Sequence, residues 1–267
     1  MARIKNDMFK LTGSMGGLSF SQDEFGTIVK KKATVSKKRI KNNPRSKRTR
    51  ESNMEMGGAS QAAKLLRMGF LKHGKELGDR YFSGRLNGLM RKVVALGSGK
   101  PGERKLDLRK NGALLETFEF INARPLVYSV GGIKEQPTLN VGRNEVVWTS
   151  PTLSRKEQVT APKEATHLCF KMVAATVGNY EYNTIKNTYL PLAPKFKNCS
   201  ALTESEPIAL NQKTLAPVTL QLKLTEAEAL PEEVAVVSAV GVSFYKNVNG
   251  ELLKVEDAGG MRVLGIG

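Results

Sequence analysis

The chain contains few of the residues on which most catalytic and metal sites depend. Among its 267 residues there are two cysteines, Cys169 and Cys199, and two histidines, His73 and His167. These numbers are too small for a disulfide scaffold or a cysteine-based zinc site, and they leave little for histidine-driven catalysis. We therefore expect a protein that is not an enzyme and that needs no cofactor or metal.

Long apolar runs are also missing. The longest one, at 234–244, is much shorter than the roughly 20 residues that a membrane-spanning helix requires. Residues 1–13 contain no apolar stretch of the length found in export signals. We therefore expect no membrane partner and synthesis in a reducing cytoplasm, with a virion or a released particle as an alternative final location.

Acidic residues are scarce in one part of the chain only. The sequence has 42 Lys and Arg against 25 Asp and Glu, a net charge of +17. Residues 1–110 hold 27 basic and 9 acidic side chains, a net of +18, and the remainder holds 15 and 16, a net of −1. Such asymmetry is typical of proteins that contact a polyanion.

The positive charge is densest at 30–50, where 11 of 21 residues are basic and none is acidic. The predicted nucleic-acid-binding residues are Lys30, Lys31, Lys32, Lys37, Lys38, Arg39, Lys41, Arg45, Lys47, Arg48 and Arg50. Without an aromatic residue, this run does not support base stacking, and no zinc-finger, RNA-recognition or helix-turn-helix signature accompanies it. It predicts contact with nucleic-acid phosphates and weak sequence preference. A solvated or protein-binding arm is the alternative.

The pattern along the chain predicts an α+β fold in three parts. Residues 1–50 form a basic arm that includes a β-hairpin from about Met8 to Val35. A helical segment follows at 51–102, and 103–267 forms an all-β sandwich, jelly-roll or Ig-like, of seven to nine strands. We expect 104–267 to fold without the rest, since its length suffices for a core.

The helical segment has recognisable boundaries. A first helix follows Ser46, and the pair Gly57-Gly58 is expected to kink or divide it. Asp79 is predicted to cap a second helix, which ends in the glycine-rich loop at 97–102. His73, on the first helix among lysines, is expected to be solvated.

Two Asn-Gly pairs predict hairpins in the β-rich part, at Asn111-Gly112 and at Asn249-Gly250. The apolar stretch at 125–130 is read as a further strand. Polar and apolar residues alternate along these predicted strands, and the apolar ones are expected to form a core. Its candidate residues are Val147, Trp148, Phe170, Val242 and Phe244.

Several catalytic patterns fail on inspection. The GSGK at 97–100 lacks both the glycine and the Ser or Thr that a phosphate-binding loop requires, so it is read as the end of a helix. No G-x-S-x-G elbow is present. His167 and Cys169 would share one face of a strand, and a half-buried strand pair is favoured over metal or thiol chemistry.

The segments TGSMGGLSF, FGTIVKKK, KNNPRSKRTRESNMEMG and AAKLLR resemble the N-terminal part of a group of basic, uncharacterised proteins from Bacteroidetes bacteria and their phages. The resemblance covers about residues 8–95 and implies no activity. The layout of a cationic N-terminal arm joined to an all-β domain is also similar to that of many small-virus capsid proteins, which is a likeness of architecture alone.

These observations favour a self-assembling structural protein, a virion or particle component that forms a homo-oligomer. Its basic N-terminal region would contact nucleic acid or neighbouring subunits, and it would have no small-molecule substrate. The alternative is a non-assembling, sequence-nonspecific DNA- or RNA-binding protein with an accessory β-domain. An enzyme with an unrecognised site is the least favoured reading.

Overall fold

The computed structural model describes residues 2–4, 11–23, 26–33, 35–197, 199–226 and 229–267. The chain divides into two compact units, Met1–Arg50 and Glu51–Gly267.

The N-terminal unit contains an antiparallel sheet of four short strands in the order β1-β4-β3-β2. The strands are β1 (Ala2–Ile4), β2 (Gly13–Met15), β3 (Leu18–Asp23) and β4 (Gly26–Lys31). Gly16 and Gly17, with φ of 54° and 76°, form the tight turn between β2 and β3, a conformation that glycine adopts without strain. The predicted hairpin corresponds to β3 and β4, while Met8 and the turn at 24–25 lie outside the described residues.

Helices of very different length follow this sheet. Helix α1 (Lys37–Asn42) leads into a 3-10 turn (Pro44–Ser46) and then into α2 (Lys47–Leu71), which continues into the second unit. The later helices are α3 (Phe82–Ala95), α4 (Leu108–Asn111), α5 (Leu126–Ser129) and α6 (Arg155–Gln158), with 3-10 turns at Lys75–Leu77, Gly112–Leu115 and Pro194–Phe196.

The strands of the second unit form a large antiparallel sheet and smaller ones. In chain order they are β5 (Thr138–Leu139), β6 (Glu145–Thr149), β7 (Leu153–Ser154), β8 (His167–Gly178), β9 (Tyr180–Asn183), β10 (Thr188–Pro191), β11 (Ser200–Glu204), β12 (Ile208–Ala209), β13 (Thr214–Leu215), β14 (Thr219–Lys223), β15 (Val234–Val248), β16 (Glu251–Lys254) and β17 (Gly260–Ile266). The large sheet runs β11-β8-β15-β16, with β17 also paired to β15 and β12 to β8. A second sheet has the order β14-β6-β5, and the pairs β9-β10 and β7-β13 complete the set.

The two long central strands, β8 and β15, are buried on both faces. On one face Val173 and Val237 pack with Leu66 and Phe70 of α2 and with α3. On the other face Phe170 packs against Trp148 of β6, with ring centroids 5.5 Å apart. The large sheet is therefore covered by helices on one side and by the β14-β6-β5 sheet on the other. This arrangement explains why its strands are almost continuously apolar instead of alternating.

Helix α2 is continuous through Gly57-Gly58, so the predicted kink or division is absent. Gly58 is needed for packing: a Cβ built there would lie 2.6 Å from Cγ of Tyr189. The ring of Tyr189 rests on the bare backbone, while its hydroxyl donates to the carbonyl of Arg104 at 2.9 Å. Tertiary contact thus accounts for a glycine that propensity alone marks as a helix breaker.

Two predicted strand features are helical turns instead. The hairpin at Asn111-Gly112 is wrong, because 108–115 form α4 and a 3-10 turn that bury Leu108 and Leu115. Asp107 caps this turn, accepting a hydrogen bond from the Lys110 backbone N–H at 3.2 Å. The strand predicted at 125–130 is wrong as well, since α5 occupies most of it.

Several further predictions can be compared with the structure. The fold is α+β, and the Asn249-Gly250 turn joins β15 to β16 with φ of 54° and 93°. Four of the five candidate core residues are buried, and Val147 is half-buried. The prediction that Asp79 caps α3 is wrong, because the helix begins at Phe82 with Tyr81 at the N-cap position. Asp79 lies in the turn before it, where its carboxylate accepts from the Tyr81 backbone N–H at 2.9 Å. His73 is partly buried, with Nε2 3.2 Å from Oγ of Ser200, so the prediction of a solvated histidine is wrong.

Candidate polyanion-binding surface

The basic run at 30–50 folds into short, defined elements. Lys30 and Lys31 end β4, α1 holds four cations, and the first turn of α2 holds Lys47, Arg48 and Arg50. The run was expected to be an arm because it has almost no apolar side chains. Local hydrogen bonds, not apolar burial, define its structure.

Capping side chains account for this local order. Ser36 is the N-cap of α1, and its hydroxyl accepts from the Arg39 backbone N–H at 3.2 Å. Asn43 caps the next turn, accepting from the Arg45 backbone N–H at 2.9 Å, and Pro44 fits the first position of that turn. These caps fix where the cations of α1 lie relative to those of the following turn.

Arg50 differs from the other ten predicted binding residues. Its Nη1 donates to the carbonyl of Ile40 at 2.9 Å and to that of Asn43 at 2.8 Å, at the end of α1. The residue is half-buried, whereas the other ten are exposed. Arg50 therefore holds the helices of the N-terminal unit together, and the solvent-exposed cations of the run are the other ten.

The exposed cations create a strong field of one sign. Residues 1–50 hold 14 Lys and Arg against 3 Asp and Glu, a net of +11. Lys37 and Lys41 are four residues apart on α1, a spacing at which like charges repel and destabilise a helix. A shallow open groove on this part of the chain is lined by Lys38 and Arg39 together with Ser36, Asn42 and Asn43. Bound phosphates would relieve the repulsion and could also accept hydrogen bonds from these polar side chains.

The sequence contains signals for these ordered elements, but its basic composition alone suggests an unstructured arm. A serine before a basic, helix-compatible tetrapeptide is an N-cap signal, and Asn-Pro marks the end of one turn and the start of another. The density of positive charge alone predicts an extended arm. The capping residues Ser36 and Asn43 were missed for that reason.

The second unit contains a cleft of about 510 Å³ beside β8 and β15. Three basic side chains line it, and each has a carboxylate within 4 Å. The pairs are Lys171–Glu204 at 2.8 Å, Arg124–Asp257 at 3.5 Å and Lys254–Glu76 at 3.6 Å. Because opposite charges are matched around it, the cleft lacks the single-sign field of the N-terminal unit.

The histidine-cysteine pair on β8 is part of the sheet. Nδ1 of His167 lies 2.8 Å from the Thr166 hydroxyl, and Cys169 is buried. Burial raises the pKa of the Cys169 thiol to about 11, which disfavours the reactive thiolate. In the part of the chain that the structure describes, no group of three His, Cys, Asp or Glu side chains is arranged to hold a metal ion.

Comparison of the chain with protein-family models, with curated proteins and with solved structures gives no match. Within the described ranges, no helix combines the length and the apolar character needed to cross a bilayer. The surface chemistry of the chain itself is therefore the basis for its function.

Proposed function

We propose that this protein is a structural, self-assembling component that binds the phosphate backbone of nucleic acid through its N-terminal unit. The observation that carries the proposal is the set of ten exposed cations between Lys30 and Arg48, without an acidic residue among them. When these cations neutralise phosphates, counterions are released from the nucleic acid, so binding is strong at low salt and insensitive to base sequence.

The second unit supports the structural part of the proposal. Its central sheet is covered on both faces, and the outer edge of β17 is occupied: the Phe120 N–H donates to the Met261 carbonyl at 2.8 Å, and the Val263 N–H donates to the Phe118 carbonyl at 3.0 Å. A rigid domain of this kind is suited to be the repeating subunit of an assembly. We also propose that its two packed sheets form a sandwich of the jelly-roll or Ig-like kind, in line with the capsid-like layout of the sequence.

Fluorescence anisotropy on labelled DNA tests the binding. For two unrelated short duplexes, the logarithm of the association constant should fall against the logarithm of salt concentration with a slope near −6, if about seven cations contact phosphates. Equal affinities for both duplexes are expected. A slope near zero, or strong preference for one sequence, would contradict phosphate-dominated binding.

Two matched variants localise the surface. The first carries Lys32→Gln, Lys37→Gln, Lys38→Gln and Lys41→Gln in the N-terminal unit. The second carries four substitutions at exposed lysines of the second unit, namely Lys134→Gln, Lys156→Gln, Lys163→Gln and Lys213→Gln. Both lose four positive charges, but only the first should reduce the slope, by about 3 to 4. Equal effects would show that binding follows net charge and not this surface.

A further inference from the structure

The large sheet has a polar end on one of its faces. Near α2 and α3 that face is apolar, and Val173 and Val237 pack in the core with the helices. Residues two apart on a strand share a face, so Lys171 of β8 and Ser243 of β15 lie on the same face as these valines. Glu204 of β11 is directly opposite Lys171 and shares the face too. Lys171 and Ser243 both line the cleft of about 510 Å³, so the polar end of the sheet forms part of its wall.

Lys171 is an unusual residue for its strand. It is the only charged residue between Leu168 and Gly178, and its side chain is 8% exposed. An apolar residue there would continue the strand and avoid the cost of burying an ammonium group. Burial alone would lower the pKa of Lys171, but the hydrogen bond to Glu204 at 2.8 Å and the charge of Glu204 raise that pKa above its ordinary value, so the lysine is charged. An ammonium has three N–H donors and Glu204 accepts one, which leaves capacity for a ligand.

Ser243 supplies a second donor on the neighbouring strand. The residue lines the cleft although it is only 6% exposed, and no described residue forms a hydrogen bond with its hydroxyl. Most buried hydroxyls are hydrogen-bonded, because a buried hydroxyl without a partner costs free energy. Lys171 and Ser243 together therefore suit a group that accepts hydrogen bonds and carries negative charge, such as a carboxylate.

The charges around the cleft are graded by depth. Its three basic side chains are 8%, 28% and 38% exposed, whereas the carboxylates of Glu76 and Asp257 are 63% and 96% exposed. Glu256, the third acidic residue of the lining, is exposed as well. Positive charge thus lies deeper in the cleft, and negative charge lies at its mouth, nearer to solvent.

We propose that the cleft binds a small zwitterion, namely a free amino acid with an apolar side chain. Its carboxylate would accept hydrogen bonds from Lys171 and Ser243, and its ammonium would face the carboxylates at the mouth. Leu77, Ile121 and Met261 also line the cleft and would contact the apolar side chain. A simple anion meets the acidic mouth and a simple cation meets the basic interior, so a ligand with both charges in this order fits best. The inference goes beyond the proposed function, because every lining residue belongs to the second unit.

Saturation-transfer NMR with the full chain tests the class of ligand. L-leucine is the probe, and each of two analogues lacks one charge: 4-methylpentanoate has no ammonium and L-leucinamide has no carboxylate. For a ligand of this size, leucine should bind with a Kd on the order of 0.1–1 mM. Each analogue should bind about tenfold more weakly or worse, since it loses one of the two charge contacts. Equal binding of 4-methylpentanoate would overturn the proposal of a zwitterion, and so would the absence of a signal from leucine at about 20 mM.

Two substitutions in the wall test where the probe binds. Lys171→Met keeps the length of the side chain and removes its charge, and Ser243→Ala removes the hydroxyl. Their matched controls do not line the cleft: Lys223→Met removes a strand lysine that is likewise paired with a glutamate, and Ser238→Ala removes a buried hydroxyl of the same strand β15. Lys171→Met should weaken leucine binding about tenfold or more and Ser243→Ala about threefold to tenfold. Both controls should bind leucine as wild type does.

A change at the mouth tests the orientation of the ligand. Glu256→Gln with Asp257→Asn removes two carboxylates and nearly preserves their shape, and Asn tolerates the φ of 53° found at Asp257. This double variant should weaken the binding of leucine but not that of 4-methylpentanoate, which has no ammonium to lose contact. Unchanged leucine binding would overturn the assignment of the ammonium to the mouth.

Urea unfolding and DNA binding separate these outcomes from a general loss of structure. Lys171→Met should unfold at the same or a higher urea concentration than wild type, because an apolar side chain carries no desolvation cost. If it is destabilised instead, Ser243→Ala and its control decide the test. All variants should keep salt-dependent binding to duplex DNA, since the exposed cations at 30–50 are unchanged. Leucine binding that survives both Lys171→Met and Ser243→Ala would overturn the site and leave the proposed function intact.

Discussion

At the scale of single residues, neighbouring positions with the same side chain have opposite roles. Gly57 and Gly58 are adjacent on α2, yet a Cβ on Gly57 would meet nothing within 4 Å, while one on Gly58 would clash with the ring of Tyr189, 2.6 Å from its Cγ. No pattern in the sequence separates these two glycines. The difference arises from Tyr189, a residue more than 130 positions away, which only the folded chain brings to α2.

Gly58→Ala should therefore destabilise the protein and Gly57→Ala should stabilise it. Ala favours a helix over Gly by about 1 kcal/mol, so Gly57→Ala should gain about 0.5–1 kcal/mol. At Gly58 the clash should outweigh that gain, because the hydroxyl of Tyr189 is bonded to Arg104 and the ring cannot move freely; we expect a net loss of about 1–3 kcal/mol. Urea unfolding monitored through the single tryptophan measures both. A stabilised Gly58→Ala would show that the ring repacks without cost.

Asp79 should make stability depend on pH. Burial alone would raise the pKa of its carboxyl, but hydrogen bonds from the Asn122 backbone and from Arg85, together with the charge of Arg85, outweigh burial and lower it below 3.8. A lowered pKa in the folded state means that the ionised form stabilises the fold above pH 3.8, and that this contribution is lost as pH falls through the folded pKa.

Asp79→Asn tests this at two pH values. At pH 7 the variant should lose about 1–2 kcal/mol of unfolding free energy, because Arg85 is left without its carboxylate partner at 3.0 Å. The difference from wild type should shrink as the pH falls below 3.8. A deficit that stays constant over that range would assign the loss to packing and not to ionisation.

At the scale of elements, the sequence predicts helix or strand correctly where a segment is long and its apolar residues recur at regular spacing. Helices α2 and α3 and strands β8 and β15 were found, since each has a consistent apolar pattern. It failed at 108–115 and 125–130, where four-residue turns bury leucines at spacings that also suit short strands. The exposed cations of the candidate site were identified from charge alone, but their arrangement depends on the caps Ser36 and Asn43, which a count of charges does not reveal.

The helices and the central sheet share one core, so we expect, against the sequence prediction, that residues 104–267 do not fold alone. Ala175 and Val237 on the central strands pack in one core with α2 and α3, so removing the helices would expose much of that face of the sheet. We expect a fragment 104–267 to lack a cooperative unfolding transition in urea, and a fragment 51–267 to retain one. Trp148 lies in the opposite core and reports on both fragments. A sharp transition for 104–267 would restore the prediction of an independent β-domain.

At the scale of the whole molecule, the two units have different sources of order. The second unit has two hydrophobic cores, one on each face of its main sheet. In the N-terminal unit, order comes from short-range hydrogen bonds and caps, and its described apolar side chains are all at least partly exposed. Opening such a unit exposes little new apolar surface, so its stability should be low.

Hydrogen exchange should resolve the two units and report on ligand binding. Amides of β3 and β4 should exchange early, and those of β8 and β15 should exchange last, near the limit set by global unfolding. Long duplex DNA should slow exchange in α1, since bound phosphates relieve the repulsion between its like charges. Equal protection of both units without DNA would contradict the low stability of the N-terminal unit, and unchanged exchange in α1 on a saturating duplex would place the bound phosphates elsewhere.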